Sequence, residues 1–139
     1  MNEDLCRARQ LLDSGGCTCV LCCSERVYSS AARGVRPLLE LLDSGNWAGF
    51  SAADNVVGKA AAFLYVLMKI RALYAPVISE AALQVLQSSG IDVHYRQVVP
   101  AILNRRKTGL CPMENAVRQL DDPQAALSAI RRTYAQLNT

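Results

Sequence analysis

Net charge, aromatic residues, histidine and long apolar runs are all scarce in this chain. The formal charge is only +3 over 139 residues and is dispersed, so the electrostatic footprint of a nucleic-acid binder is missing. Aromatics make up 6% and do not interleave with basic residues, which argues against a stacking platform for single strands. The longest apolar run, Ala60 to Met68, falls far short of a bilayer span. The amino terminus, M-N-E-D-L-C-R-A-R-Q, has acids and no apolar stretch, so no signal peptide is expected. A cytoplasmic protein without membrane contact is the resulting expectation. His94 is the only histidine, and no second C-x-x-C accompanies Cys19-x-x-Cys22, so the usual tetrahedral zinc sets are lacking.

What remains is an ordinary globular composition, half apolar and a fifth charged. A chain of this length forms one domain, 1–139, and buries roughly two-thirds of its unfolded surface without disulfides or metal. The six cysteines are then expected to be thiols.

The stretch Ser51 to Ile70 organises the reading. It is apolar-periodic, free of proline, and long enough for a helix of about five turns. Val56, Val57, Ala60, Phe63, Leu64, Leu67, Met68 and Ile70 would form its apolar half. Asp54, Asn55, Gly58, Lys59, Tyr65 and Lys69 would share the other. Its polar first turns, with Ser51 and Asp54 in a capping arrangement, would offer an anion site at the positive end of the helix dipole.

Around it, Asn2 to Asp13 predicts a helix with Leu5, Ala8 and Leu12 inward, within an amino-terminal segment 1–16 closed by Ser14-Gly15-Gly16. Cys17 to Cys23 and Val27 to Ser30 predict an antiparallel strand pair. A helix from Pro37 to Gly45 follows, then a loop carrying Trp47. Ala72 to Ser79, Glu80 to Ser89 and Ile91 to Val99 read as strand, helix and strand, a parallel βαβ unit. The segment 104–139 holds a basic loop, Asn104 to Gly109, a helix start at Leu110 to Glu114, and a last helix from Pro123 to Leu137. The order implies a three-layer α/β/α sandwich with a mixed sheet that begins with an antiparallel hairpin. A fifth strand would have to come from Val98 to Leu103 or from around Leu110.

The segments G-V-R-P-L-L-E-L-L, A-D-N-V-V-G-K-A-A-A, V-I-S-E-A-A-L and C-P-M-E-N-A-V, with the N-R of the basic loop, resemble a small prokaryotic family catalogued as a domain of unknown function. The resemblance covers roughly Cys17 to Arg131 and implies a fold similar to that of cytidine deaminases. Zinc deaminases carry H-x-E at one helix start and P-C-x-x-C at the next. Here those places hold Asp54-Asn55-Val56 and Ser79-Glu80-Ala81-Ala82, so a conventional zinc deaminase is not expected.

The cysteine strand is read as small buried residues, with alternation sending Cys17, Cys19 and Cys23 to one face and Cys22 to the other. No metal ligand and no cofactor is assigned. Cys111, before Pro112 at a helix start and near Arg105, Arg106 and Lys107, is a candidate nucleophile with thiolate character. As a structural N-cap, with Glu114 in a capping-box position, it has a simpler role. Asp54 and Lys59 are candidate proton carriers, with Ser79, Glu80, Arg105 and Glu114 as ligand-binding partners for a small anionic or nucleotide-like molecule. Two functions follow: a zinc-free binding or catalytic pocket at converging helix amino ends, or an interaction or regulatory domain that keeps the scaffold without chemistry. Either is compatible with a homo-oligomer.

Overall fold

Strand β5 (Ala72–Ser79) is the spine of a six-stranded mixed sheet in the computed structural model, which describes residues 2–104 and 106–138. On one side β5 pairs in parallel with β6 (Asp92–Val99). On the other it pairs in parallel with β3 (Ser51–Asp54) and then β4 (Val56–Val57). The pairs Ser51 with Ala72 and Val56 with Val77 keep one register, so β3 and β4 are two parts of a single strand line broken at Asn55. Strand β1 (Cys19–Cys23) runs antiparallel to β3, and β2 (Arg26–Ser30) runs antiparallel to β1 at the far edge.

The sheet lies between two helical layers. Helix α1 (Glu3–Asp13), capped by the Asn2 side chain, sets Leu5, Ala8 and Leu12 against Val20, Cys22, Ala53, Ala72 and Tyr74. The opposite face, with Leu21, Ala52, Leu73, Ala75 and Ile78, is covered by a larger cluster centred on helix α3 (Lys59–Met68). Helices α2 (Arg36–Ser44), α4 (Glu80–Ser88), α5 (Pro112–Val117) and α6 (Pro123–Leu137) surround α3. Phe63 and Leu64 are fully buried, each contributing about 1.5–3 kcal/mol of apolar burial.

The first pair is antiparallel, β5–α4–β6 is a parallel unit, and α1, α2, α5 and α6 lie where their caps and periodicity placed them. The long central helix does not. Its first third is the broken strand line of β3 and β4, and the helix begins only at Lys59. Ser51, Ala52 and Ala53 are buried in a ladder between β1 and β5, and a central strand covered on both faces shows no alternation that would betray it. The missing strand therefore comes from Ser51 to Val57. The segment Val98 to Leu103 adds no strand beyond the end of β6, and Leu103 meets Leu110 only as an isolated bridge.

Smaller corrections follow from the same shift. Ser51 caps nothing; its hydroxyl bonds the Asn2 side chain at 3.2 Å. Val56, expected inside, is 47% exposed, whereas Tyr65, expected on the polar half, is buried. Cys19 and Cys22 do face opposite layers, but Cys17 precedes the strand and packs on the α1 side, away from Cys19. Trp47 packs edge-on against Tyr28 and Phe50 and donates to the Leu41 carbonyl at 2.8 Å, while Tyr95 stays 45% exposed.

Candidate functional site

The break between β3 and β4 leaves Asp54 at the carboxyl end of a central strand, beside a cavity of about 410 Å³. Val35, Pro37 and Leu38 line one side, Ile102, Leu103 and Met113 another, and Cys19 and Ala60 lie in its inner wall. The lining is mostly apolar. Its polar groups are few: the Asp54 and Glu114 carboxyls, the Cys111 thiol, Thr18, Asn55 and Arg33.

Asp54 is held from behind. The Tyr65 hydroxyl donates to Asp54 Oδ2 at 2.8 Å and lies 3.3 Å from Cys19 Sγ, forming a short buried chain of polar groups. Burial pushes the Asp54 carboxyl up to about 7, against the opposing pull of hydrogen bonds from Tyr65 and from the Val56 and Asn55 amides. The same burial, reinforced by Asp54, raises Tyr65 and Cys19 well above their usual ranges. Both therefore stay protonated, and Cys19 is no nucleophile. Asp54 alone of the three changes charge near neutral pH.

Glu114 occupies the place that the sequence suggested for an anion. Its carboxylate reaches from α5 to the start of α3 and accepts from the Lys59 amide at 2.7 Å and the Ala60 amide at 2.9 Å. Gly58 is the N-cap of α3, and a Cβ there would overlap this carboxylate. The α3 amino end is thus closed by the chain's own acid, not by a capping box within α5. Burial raises the Glu114 carboxyl, while the two amides and the Lys59 charge oppose the shift.

The other expected residues are dispersed. Cys111 is the N-cap of α5, half-buried, and lines the cavity with Asp54 and Glu114. Lys59 turns away; its ammonium donates to the Arg118 carbonyl at 3.0 Å and its chain lines a separate groove with Phe63 and Asp121. Ser79 is buried and caps α4, accepting from the Ala82 amide at 3.1 Å, and Glu80 is exposed in the first turn of that helix. Neither reaches the cavity lining. Arg105 lies outside the described residues, and Arg106 and Lys107 are exposed in a turn closed by Asn104 and Thr108. Among the described residues, no three His, Cys, Asp or Glu side chains gather to hold a metal ion, and no helix is long and apolar enough to cross a membrane.

Tyr65 and Gly58 went unrecognised as part of this site. Periodicity over Ser51 to Ile70 puts both on a solvent face, whereas the helix begins only at Lys59 and is buried nearly all round. Gly58, four residues after Asp54, is the available signal of a close backbone approach.

The model of a domain of unknown function, DUF1893, also called TM1506, matches residues 7–133. The chain belongs to the DUF1893 family. The crystal structure of a DUF1893 family protein, TM1506 from Thermotoga maritima, is similar at 29% identity with a TM-score of 0.84. That likeness covers 98% of this chain and 92% of the other. No curated protein matches the chain.

Proposed function

We propose that this DUF1893 protein binds a small, largely apolar heterocycle of nucleobase type in the cavity beside Asp54. Asp54 would accept from the donor edge of the molecule and exchange a proton with it. The observation that carries this reading is the placement of Asp54. It is a carboxyl at the end of a central strand, fixed by Tyr65 and two amides, facing an apolar cavity large enough for such a ring. A crevice beyond the carboxyl end of an inner strand is also where open α/β sheets take ligands.

The residues favour a neutral molecule over a phosphate or carboxylate. Two acids line the cavity against the one exposed guanidinium of Arg33, the α3 amides are taken by Glu114, and the α4 cap is closed by Ser79. The deaminase-like fold that the family resemblance implies would suit a nucleobase-like ligand. Zinc does not fit, because Asp54-Asn55-Val56 and Ser79-Glu80-Ala81-Ala82 supply no histidine or cysteine and Ser79 stands outside the cavity. Of the two thiols in the lining, Cys19 is buried in the inner wall and Cys111 would meet the bound ring from the α5 side.

A second reading, an interaction domain without chemistry, draws on the same self-closure. Glu114 and Ser79 are occupied by caps, and Lys59 by a backbone carbonyl. A thermal-shift series with free nucleobases, nucleosides and phosphosugars separates the two. The pocket reading expects a base or nucleoside to raise the melting temperature by several degrees through mass action, and Asp54→Ala to abolish the shift. Absence of any shift, or a shift untouched by Asp54→Ala, favours the interaction domain.

A further inference from the structure

Strand β6 is eight residues long and, among the described residues, pairs only with β5, so its outer edge is an unprotected row of backbone donors and acceptors. It contains no proline, and none of its residues is fully buried. The usual protection of such an edge is charge, and the charges here are Asp92 and Arg96 with His94 between them.

We propose that two copies of the chain associate by antiparallel pairing of their β6 strands about a two-fold axis at His94. The backbone phase permits it. The Asp92 amide points inward to the Arg71 carbonyl at 3.2 Å, so by alternation Val93, Tyr95 and Gln97 direct their amides and carbonyls outward. With the axis at His94, Val93 lies opposite Tyr95 of the second copy. Those two residues exchange main-chain hydrogen bonds, giving about four at the centre of the junction.

The side chains agree with that register on both faces. Asp92, His94 and Arg96 share the α1 side of the sheet, as their partners Ala72 and Tyr74 show. The axis places Asp92 of each copy opposite Arg96 of the other, in close pairs of the kind without main-chain bonds. On the other face Tyr95, largely exposed in one copy, meets Val93, a favourable aromatic and β-branched pair. The Asp92 carboxylate already lies 3.1 Å from His94 Nε2, on the face that the pairing requires. The opposite sheet edge, β2, offers no such match: self-pairing about Tyr28 would put Arg26 opposite Ser30.

The proposal is independent of the cavity and is tested by sedimentation equilibrium of the full chain over a micromolar concentration series, with charge reversals at the edge. The wild type is expected to be a dimer. Arg96→Asp and Asp92→Arg each set like charges opposite one another and are expected to weaken association about a hundredfold. The double exchange, Asp92→Arg with Arg96→Asp, restores opposite pairs and is expected to restore the dimer. A wild type that stays monomeric at the highest concentration overturns the proposal. So does a dimer unaffected by the single reversals, or one that the double exchange fails to restore.

Discussion

Asp54 and Glu114 are two carboxyls at one cavity, and both are raised by the same desolvation. They differ in what stands opposite. Glu114 meets two free amides at a helix start, so its charge is used by the fold. Asp54 meets a tyrosine hydroxyl and two amides on the protein side, and the cavity on the other. One acid closes a helix, while the other is a titratable group in the lining of the cavity. Burial and hydrogen bonding are common to both acids; what distinguishes Asp54 is that it also lines the cavity without closing a helix end.

The sharpest way to break that contrast is to remove the helix-closing acid. Glu114→Ala strands two amides and frees α5 from α3, an expected loss of about 3 kcal/mol in urea unfolding. Gly58→Ala displaces the same carboxylate, so its cost and that of Glu114→Ala should not add. A double variant no less stable than Glu114→Ala alone is the expected result of that cycle. Additive losses would mean that the carboxylate does not need Gly58.

Asp54 should behave in the opposite sense. Its folded value near 7 lies above its unfolded one, so the folded chain holds a proton that the unfolded chain releases. The stability this provides is complete below about pH 4 and is lost as pH rises through 7. Asp54→Asn removes the cost of burying the charge. It should stabilise by about 4 kcal/mol at pH 8 and change little at pH 4, as read from melting curves at the two values. Equal effects at both would place the Asp54 carboxyl in the ordinary range. The smallest effect belongs to Tyr65→Phe, about 1–2 kcal/mol for the lost Asp54 bond and the weaker Cys19 contact. It should also move the Asp54 titration upward, because that bond favours the charged form.

The fold was legible where local chemistry announces itself. Ser79 before α4, Pro37 in the first turn of α2, and Asp122 and Pro123 at α6 each mark a boundary by a mechanism that needs no distant partner. Ser51 to Asp54 failed for the converse reason. Three small residues fit either a helix or a doubly covered strand, and the ladder that decides between them comes from β1 and β5. The site followed the same division. Asp54, Cys111 and Glu114 were marked by residue type and helix position, and the fold brings them to one cavity. The bond from Glu114 to residues more than fifty positions away has no local signature, and without it Lys59 and the α3 amino end looked free.

The central claim concerns one proton on Asp54. Carbon-detected NMR titration of the Asp54 carboxyl in the wild-type protein follows that proton directly. A midpoint near 7, moving higher in Tyr65→Phe, is the predicted result. A midpoint near the ordinary aspartate value of about 4 would contradict it, leaving Asp54 a solvated acid with no special role at the cavity.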